Sequence, residues 1–140
     1  MKYFLSLIIQ TWQTHTNPFY SLQYRIARRG AEMLAVGGKM VYSTCSLNPT
    51  EDEAVIHRLL VESQGSLELE EVNDKVPGLK YIPGLSHWIV MNRDLTIYNT
   101  PEDVPEPMKH ILRSAIFPPK LEEAGKFHLE RWYSCCSLKQ

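Results

Sequence analysis

Apolar and polar positions along the chain change period more than once, and each change marks an element. From Ser21 the period is helical. Leu22, Ile26 and Gly30 form one stripe, Ala27, Ala31, Met33 and Leu34 lie beside it, and Arg25, Arg28, Arg29 and Glu32 take other positions. Gly37-Gly38 supplies a stop. Lys39–Thr44 then reads as a buried strand reached with almost no loop, the way a helix returns to a sheet in α/β folds. A second helix has a clear start: Asn48 suits the N-cap, Pro49 the first helical position, and Glu51 a capping box. Glu51, Asp52 and Glu53 complement the positive end of its dipole, and Val55, Ile56, Leu59 and Leu60 give it an apolar face. After Gly65, Leu67, Leu69 and Val72 alternate with Ser66, Glu68, Glu70 and Glu71 as a half-exposed strand.

Residues 21–72 thus predict helix, strand, helix, strand: an α/β fold, part of a mostly parallel, doubly wound sheet. The series begins on a helix, as if upstream strands were missing. Farther on, Pro77-Gly78 and Pro83-Gly84 predict turns and Trp88–Met91 a short strand. Thr100–Pro107 reads as a Pro-rich acidic loop and residues 121–132 as a helix. Ser134–Gln140 shows no pattern. Residues 1–10 look superficially like a leader, but no small-residue cleavage pattern follows, so a buried strand or an ill-fitting leader is expected there rather than secretion. No stretch has the length of a transmembrane helix.

The 140 residues allow one domain with a modest core. A formal net charge of -1 excludes a global basic field but not a local patch. Arg25, Arg28, Arg29 and Lys39 fit either phosphate contacts or a solvated face, and the second is favoured. Three cysteines without regular spacing make no disulfide framework and point to a reducing, intracellular setting. Cys135 and Cys136 are adjacent, a poor arrangement for bridging or chelation. His15, His57, His87, His110 and His128 are scattered, and no metal site is expected.

Cys45 is the candidate for chemistry. It stands at the carboxyl end of a predicted strand, where open α/β sheets place their ligands. A thiolate near a helix N-terminus is a strong nucleophile. Against this, the acidic first turn opposes a lowered pKa, and a lone cysteine is more often a buried structural thiol. A phosphatase loop would need an Arg soon after the cysteine, and a thioredoxin-type pair a second cysteine at position 48. Neither is present. A cysteine protease would need a His and an orienting partner. His57 is expected to point away, and the other histidines stay open. No glycine-rich loop follows a strand, so no dinucleotide site is read.

The run Leu22–Glu32, then Gly38-Lys39-Met40-Val41-Tyr42-Ser43-Thr44-Cys45-Ser46-Leu47-Asn48-Pro49 and Glu51-Asp52-Glu53-Ala54-Val55-Ile56, resembles the Nop/Sun family of RNA cytosine-5 methyltransferases, most closely its tRNA-modifying branch. The resemblance continues through Pro77–Lys80, Phe117-Pro118-Pro119 and His128–Arg131. It implies a Rossmann-like, S-adenosylmethionine-dependent fold in which residues 21–131 are the C-terminal part of the catalytic domain. Residues 1–20 and 132–140 diverge from the family pattern. It makes Cys45 the nucleophile that attacks cytosine C6. Thr44 and Ser46 are expected to set its backbone, without catalytic roles. The implied partners are RNA, specifically tRNA, and a chain that completes the sheet, with no membrane. The implied location is the nucleus, nucleolus or cytoplasm. The family's cofactor elements, a glycine-rich loop and acidic residues on upstream strands, have no counterpart here. Its product-releasing Pro-Cys element has none either, and Cys135-Cys136 does not match it. The isolated chain is therefore expected to be inactive. A non-catalytic α/β fragment, marked by exposed apolar surface on its first helix and strand, and an RNA-binding remnant using Arg25–Lys39 are the alternatives.

Overall fold

The computed structural model describes residues 18–44, 46, 48–70, 84–92, 94–120 and 135–139. Helix α1 (Pro18–Glu32) opens on a proline, whose missing N–H costs nothing in a first turn. It ends before the glycines, and Gly37 at φ +77° turns the chain into strand β1 (Lys39–Ser43). Gly30 has a separate use. A Cβ there would stand 2.7 Å from the Met40 sulfur, so its absence lets α1 lie close on β1.

The buried face of α1 is not the Leu22–Ile26 stripe. Tyr20, Tyr24 and Ala27 are buried, whereas Leu22 is 51% and Ile26 64% exposed. Positions 20, 24 and 27 also keep helical spacing, and two tyrosine rings bury more area than the two aliphatics. The rings of Tyr20 and Tyr24 stack at 6.4 Å. The Tyr24 hydroxyl donates to the Glu62 carboxylate of helix α2 (Glu53–Glu62). The Arg58 guanidinium, bonded to Glu62 at 2.7 Å, covers the Tyr24 ring at 3.8 Å. Burial, and then the Glu62 carboxylate, push the Tyr24 hydroxyl up to about 12.

The sheet corrects the expected parallel order. Its strands run β1, β5 (Cys135–Lys139), β2 (Glu68–Glu70), with β5 antiparallel to both neighbours. Val41 pairs with Ser137, and Leu69 with Leu138. β1 and β2 are therefore parallel to each other and joined through α2, as the helix–strand order requires. They are not adjacent, because the tail that showed no pattern in sequence fills the space between them. Met40 and Tyr42 of β1 and Leu69 of β2 turn toward the core, while Lys39, Val41 and Ser43 alternate outward.

The segment 84–120 adds a second layer against α2. Strands β3 (Val90–Met91) and β4 (Ile97–Tyr98) form a hairpin. The Asn92 side-chain oxygen accepts the N–H groups of Asp94 and Thr96, both at 2.9 Å, and so holds the turn. Short 3-10 turns follow at Pro101–Asp103, Glu106–Met108 and Ser114–Ile116. Trp88, Val90, Tyr98, Val104, Leu112, Ile116 and Phe117 join Val55, Ile56, Leu59 and Leu60 in one core. The Trp88 indole N–H donates to the Ile116 carbonyl at 2.9 Å and closes this layer. The helix expected at 121–132, the turns at 77–84 apart from Gly84, and residues 1–17 lie outside the described residues. No helix among the described residues is long and apolar enough to cross a membrane.

Candidate active-site loop

The loop that carries residue 45 is built from side chains that hold backbone two residues ahead. Thr44 Oγ1 accepts the Ser46 N–H at 2.9 Å. Ser46 Oγ accepts the Asn48 N–H at 3.1 Å. Asn48 Oδ1 accepts the Thr50 N–H at 3.1 Å and the Thr50 hydroxyl at 2.9 Å. Short hydroxyl and amide side chains are the ones that reach their own neighbouring backbone. Three of them at positions 44, 46 and 48 make a chain of such turns. Cys45 and Leu47, which alternate with them, lie outside the described residues. Thr44 and Ser46 each hold a backbone N–H of the loop, while the thiol they were expected to aim lies outside the described residues.

Farther along, Asn48 and Pro49 start a tight turn rather than the helix itself. The Glu51 N–H reaches the Asn48 carbonyl at 2.8 Å, and the Ala54 N–H reaches that of Pro49 at 2.9 Å. α2 begins only at Glu53, with Asp52 before it and no side-chain cap. Glu51 completes no capping box. Its carboxylate accepts from Gln23 Nε2 of α1 at 3.2 Å, and its carbonyl accepts from the Tyr42 hydroxyl at 2.8 Å. Residue 45 is therefore bracketed by a strand and a turn that are bonded to each other.

The acidic run is also less charged than its sequence suggests. Asp52 and Glu53 are buried, at 6% exposure each. Asp52 Oδ1 has no hydrogen-bond partner. Burial first, and then the carboxylates of Glu53 and Glu51, push Asp52 up to about 8. At neutral pH it keeps its proton, so the turn opposes a thiolate with one charge fewer. Burial also raises Glu53, opposed by the Leu85 N–H donating to its Oε1 at 2.9 Å. The sequence reading took both carboxylates as charges that complement the helix dipole and did not foresee their burial. The missed signal is spacing, since Asp52 falls three and four residues before the inward Val55 and Ile56.

The remaining candidates separate. Arg28 and Arg29 pair with Glu32 at 3.0 and 3.1 Å, and Lys39 pairs with Glu70, as a solvated face would have it. His57 and His87 both line one cleft of about 1140 Å³ beside the second half of α2. His110 is exposed, and His15 and His128 lie outside the described residues. No group of three His, Cys, Asp or Glu side chains is placed to hold a metal among the described residues.

Comparison with known proteins agrees with the resemblance of the Tyr42–Glu53 run. A family model described as 16S rRNA methyltransferase RsmB/F matches residues 10–83. A tRNA (cytosine(34)-C(5))-methyltransferase of Drosophila melanogaster is 48% identical over 113 residues, 80% of this chain. A multisite-specific tRNA:(cytosine-C(5))-methyltransferase of Schizosaccharomyces pombe is 41% identical over 112 residues, again 80% of the chain. Its counterpart in Saccharomyces cerevisiae is 36% identical over 120 residues, 85% of the chain. The chain spans 15% of the length of the first of these relatives and 16% of the other two. No solved structure matches. With more than half of its residues matched by the family model and three such relatives, the chain belongs to the RsmB/F methyltransferase family.

Proposed function

We propose that this chain is the nucleophile-bearing part of an RNA cytosine-C5 methyltransferase acting on tRNA. Residues 21–131 would correspond to the C-terminal part of the catalytic domain. The loop through residue 45 carries the reading. It lies inside the family match, and its neighbours Thr44, Ser46 and Asn48 are committed to holding backbone. On this reading the Cys45 thiolate adds to C6 of an unstacked cytosine. A bond forms between sulfur and C6, and the C5–C6 π electrons move toward C5. C5 thereby becomes nucleophilic enough to take a methyl group, and once C5 carries it, loss of the C5 proton would re-form the C5–C6 double bond and expel the thiolate. The loop's part is orientation: a ring attacked on its face needs the sulfur held within a narrow angle.

The family implies S-adenosylmethionine as methyl donor. The described residues do not fit it. The loop after β1 is knitted by its own hydroxyls instead of offering glycine N–H groups, and of the carboxylates that follow, Glu51 is bonded to Gln23 while Asp52 and Glu53 are buried. No step through the donor is derived for this chain. The 140-residue polypeptide, given tRNA and S-adenosylmethionine, is expected to form no 5-methylcytosine alone. A nuclear, nucleolar or cytoplasmic site of action belongs to the same reading.

One observation favours a surface completed by further structure. Leu22, Ile26 and Met33 of α1 are 51%, 64% and 74% exposed, and Val41 on the outward side of β1 is 63% exposed. β1 is an edge strand among the described residues. An apolar helix face beside an open strand edge suits continuation of the sheet by a cofactor-binding half, in the same polypeptide or a partner. A graft tests the whole reading. Residues 21–120 of this chain, exchanged into the matching segment of a full-length relative, should support 5-methylcytosine formation in tRNA. The Cys45→Ala graft should not. Equal activity with and without Cys45 would remove the proposal.

A further inference from the structure

Beside the second half of α2 the molecule carries a groove that the loop chemistry does not use. The cleft of about 1140 Å³ is lined by His57, Arg58, His87 and Lys120, among others. A neighbouring cleft of about 680 Å³ shares Arg58, Glu102 and Ser114 with it and adds Lys109 and Arg113. The shared walls make the two one groove. Four permanent cations border it, against the carboxylates of Glu62 and Glu102. Arg58 is held by Glu62 at 2.7 Å, and Lys109 by Glu106 at 2.7 Å.

Arg113 and Lys120 differ from these. Arg113 reaches only neutral oxygens, the His110 carbonyl at 3.4 Å and Ser21 Oγ at 3.5 Å. No ion pair is found for Arg113 or Lys120 among the described residues, and both are exposed. They face the groove from opposite ends of the segment that Trp88 fixes through Ile116. This contrasts with α1, where Arg28 and Arg29 are already paired with Glu32. Phe117 in the lining is 5% exposed and offers no face for a base to stack on, which leaves the imidazoles of His57 and His87 as the other aromatic rings there. The unpaired cations give the groove charge for a phosphate backbone.

We propose that this groove, through Arg113 and Lys120, grips the sugar–phosphate backbone of the RNA substrate independently of sequence. The inference rests on the RNA-methyltransferase reading and adds the place where the substrate is held. Its test is fluorescence anisotropy of the 140-residue chain with a labelled tRNA and with an unrelated RNA hairpin, over a range of salt. Removing two phosphate contacts by Arg113→Ala/Lys120→Ala should weaken both RNAs about equally, by about tenfold, and lower the salt slope by about 2. The control Arg28→Ala/Arg29→Ala removes the same charge from α1 and should change affinity by less than about twofold. Matching thermal melts check that all variants are folded. If the groove variant binds as tightly as wild type, or the α1 variant loses as much, the groove is not the contact and the methyltransferase reading stands. If wild type binds neither RNA, both the groove and the RNA substrate are wrong. If an acidic protein binds the groove and RNA does not, the surface serves a protein partner and the proposal falls.

Discussion

The Tyr42 hydroxyl donates to the Glu51 carbonyl oxygen at 2.8 Å, across nine residues that include position 45. The strand entering the loop and the turn leaving it are thereby one unit. Tyr42→Phe keeps the ring's packing and removes this bond. It should cost about 1 kcal/mol in urea denaturation. If the clamp positions Cys45, it should slow attack by that thiol more than the stability loss explains. An unchanged attack rate would reduce Tyr42 to a packing residue.

Thr44 and Ser46 make a related test. Thr44→Val and Ser46→Ala each leave one loop N–H without its side-chain acceptor. Each should lose about 0.5–1.5 kcal/mol of stability. In the grafted enzyme they should lower kcat with KM little changed, because they orient the attacking group without touching the substrate. A loss confined to KM would count against positioning.

Asp52 gives the chain a pH signature. Its folded value of about 8 lies above its ordinary 3.8, so the folded chain holds a proton that the unfolded chain releases in this window. Stability should then fall as pH rises from about 4 to about 8. Asp52→Asn is neutral and nearly isosteric. It should flatten that slope and stabilise the chain by roughly 1–3 kcal/mol at pH 8. Urea midpoints at several pH values decide the matter, and an Asn variant with the wild-type slope would contradict it.

Trp88 ties the 84–120 layer to the rest of the core. Trp88→Ala removes a ring that is 4% exposed and the bond to Ile116, and should cost about 3–5 kcal/mol. Trp88→Phe restores much of the volume but strands the Ile116 carbonyl, for about 1–3 kcal/mol. Equal losses for both would mean that the indole N–H bond contributes little.

Local signals were legible in the sequence and distant ones were not. The strand at 39–43 and the apolar face of α2 follow from period and are present, although β1 is half exposed rather than buried and the helix start read at Asn48-Pro49 is a tight turn ahead of α2. The buried face of α1 was misread because tyrosines score as half-polar, although Tyr20 and Tyr24 fill the contact with α2. The strand at 135–139 has no alternation strong enough to announce it, and its partners are residues 39–43 and 68–70. Such pairing at long separation is invisible to any local pattern. The loop's hydroxyls were legible as structural residues. The burial of Asp52 was legible from its spacing to Val55 and Ile56, whereas the bond from the Leu85 N–H to Glu53 joins residues 32 apart, which no short window of sequence contains.

The central claim is that Cys45 attacks cytosine. The most direct measurement is mass spectrometry of the chain after incubation with tRNA containing 5-azacytidine, a base whose adduct at C6 is not readily released. The account predicts a covalent RNA adduct mapped to the peptide containing Cys45 and lost in Cys45→Ala. RNA that binds without any adduct, or an adduct that survives Cys45→Ala, would contradict it.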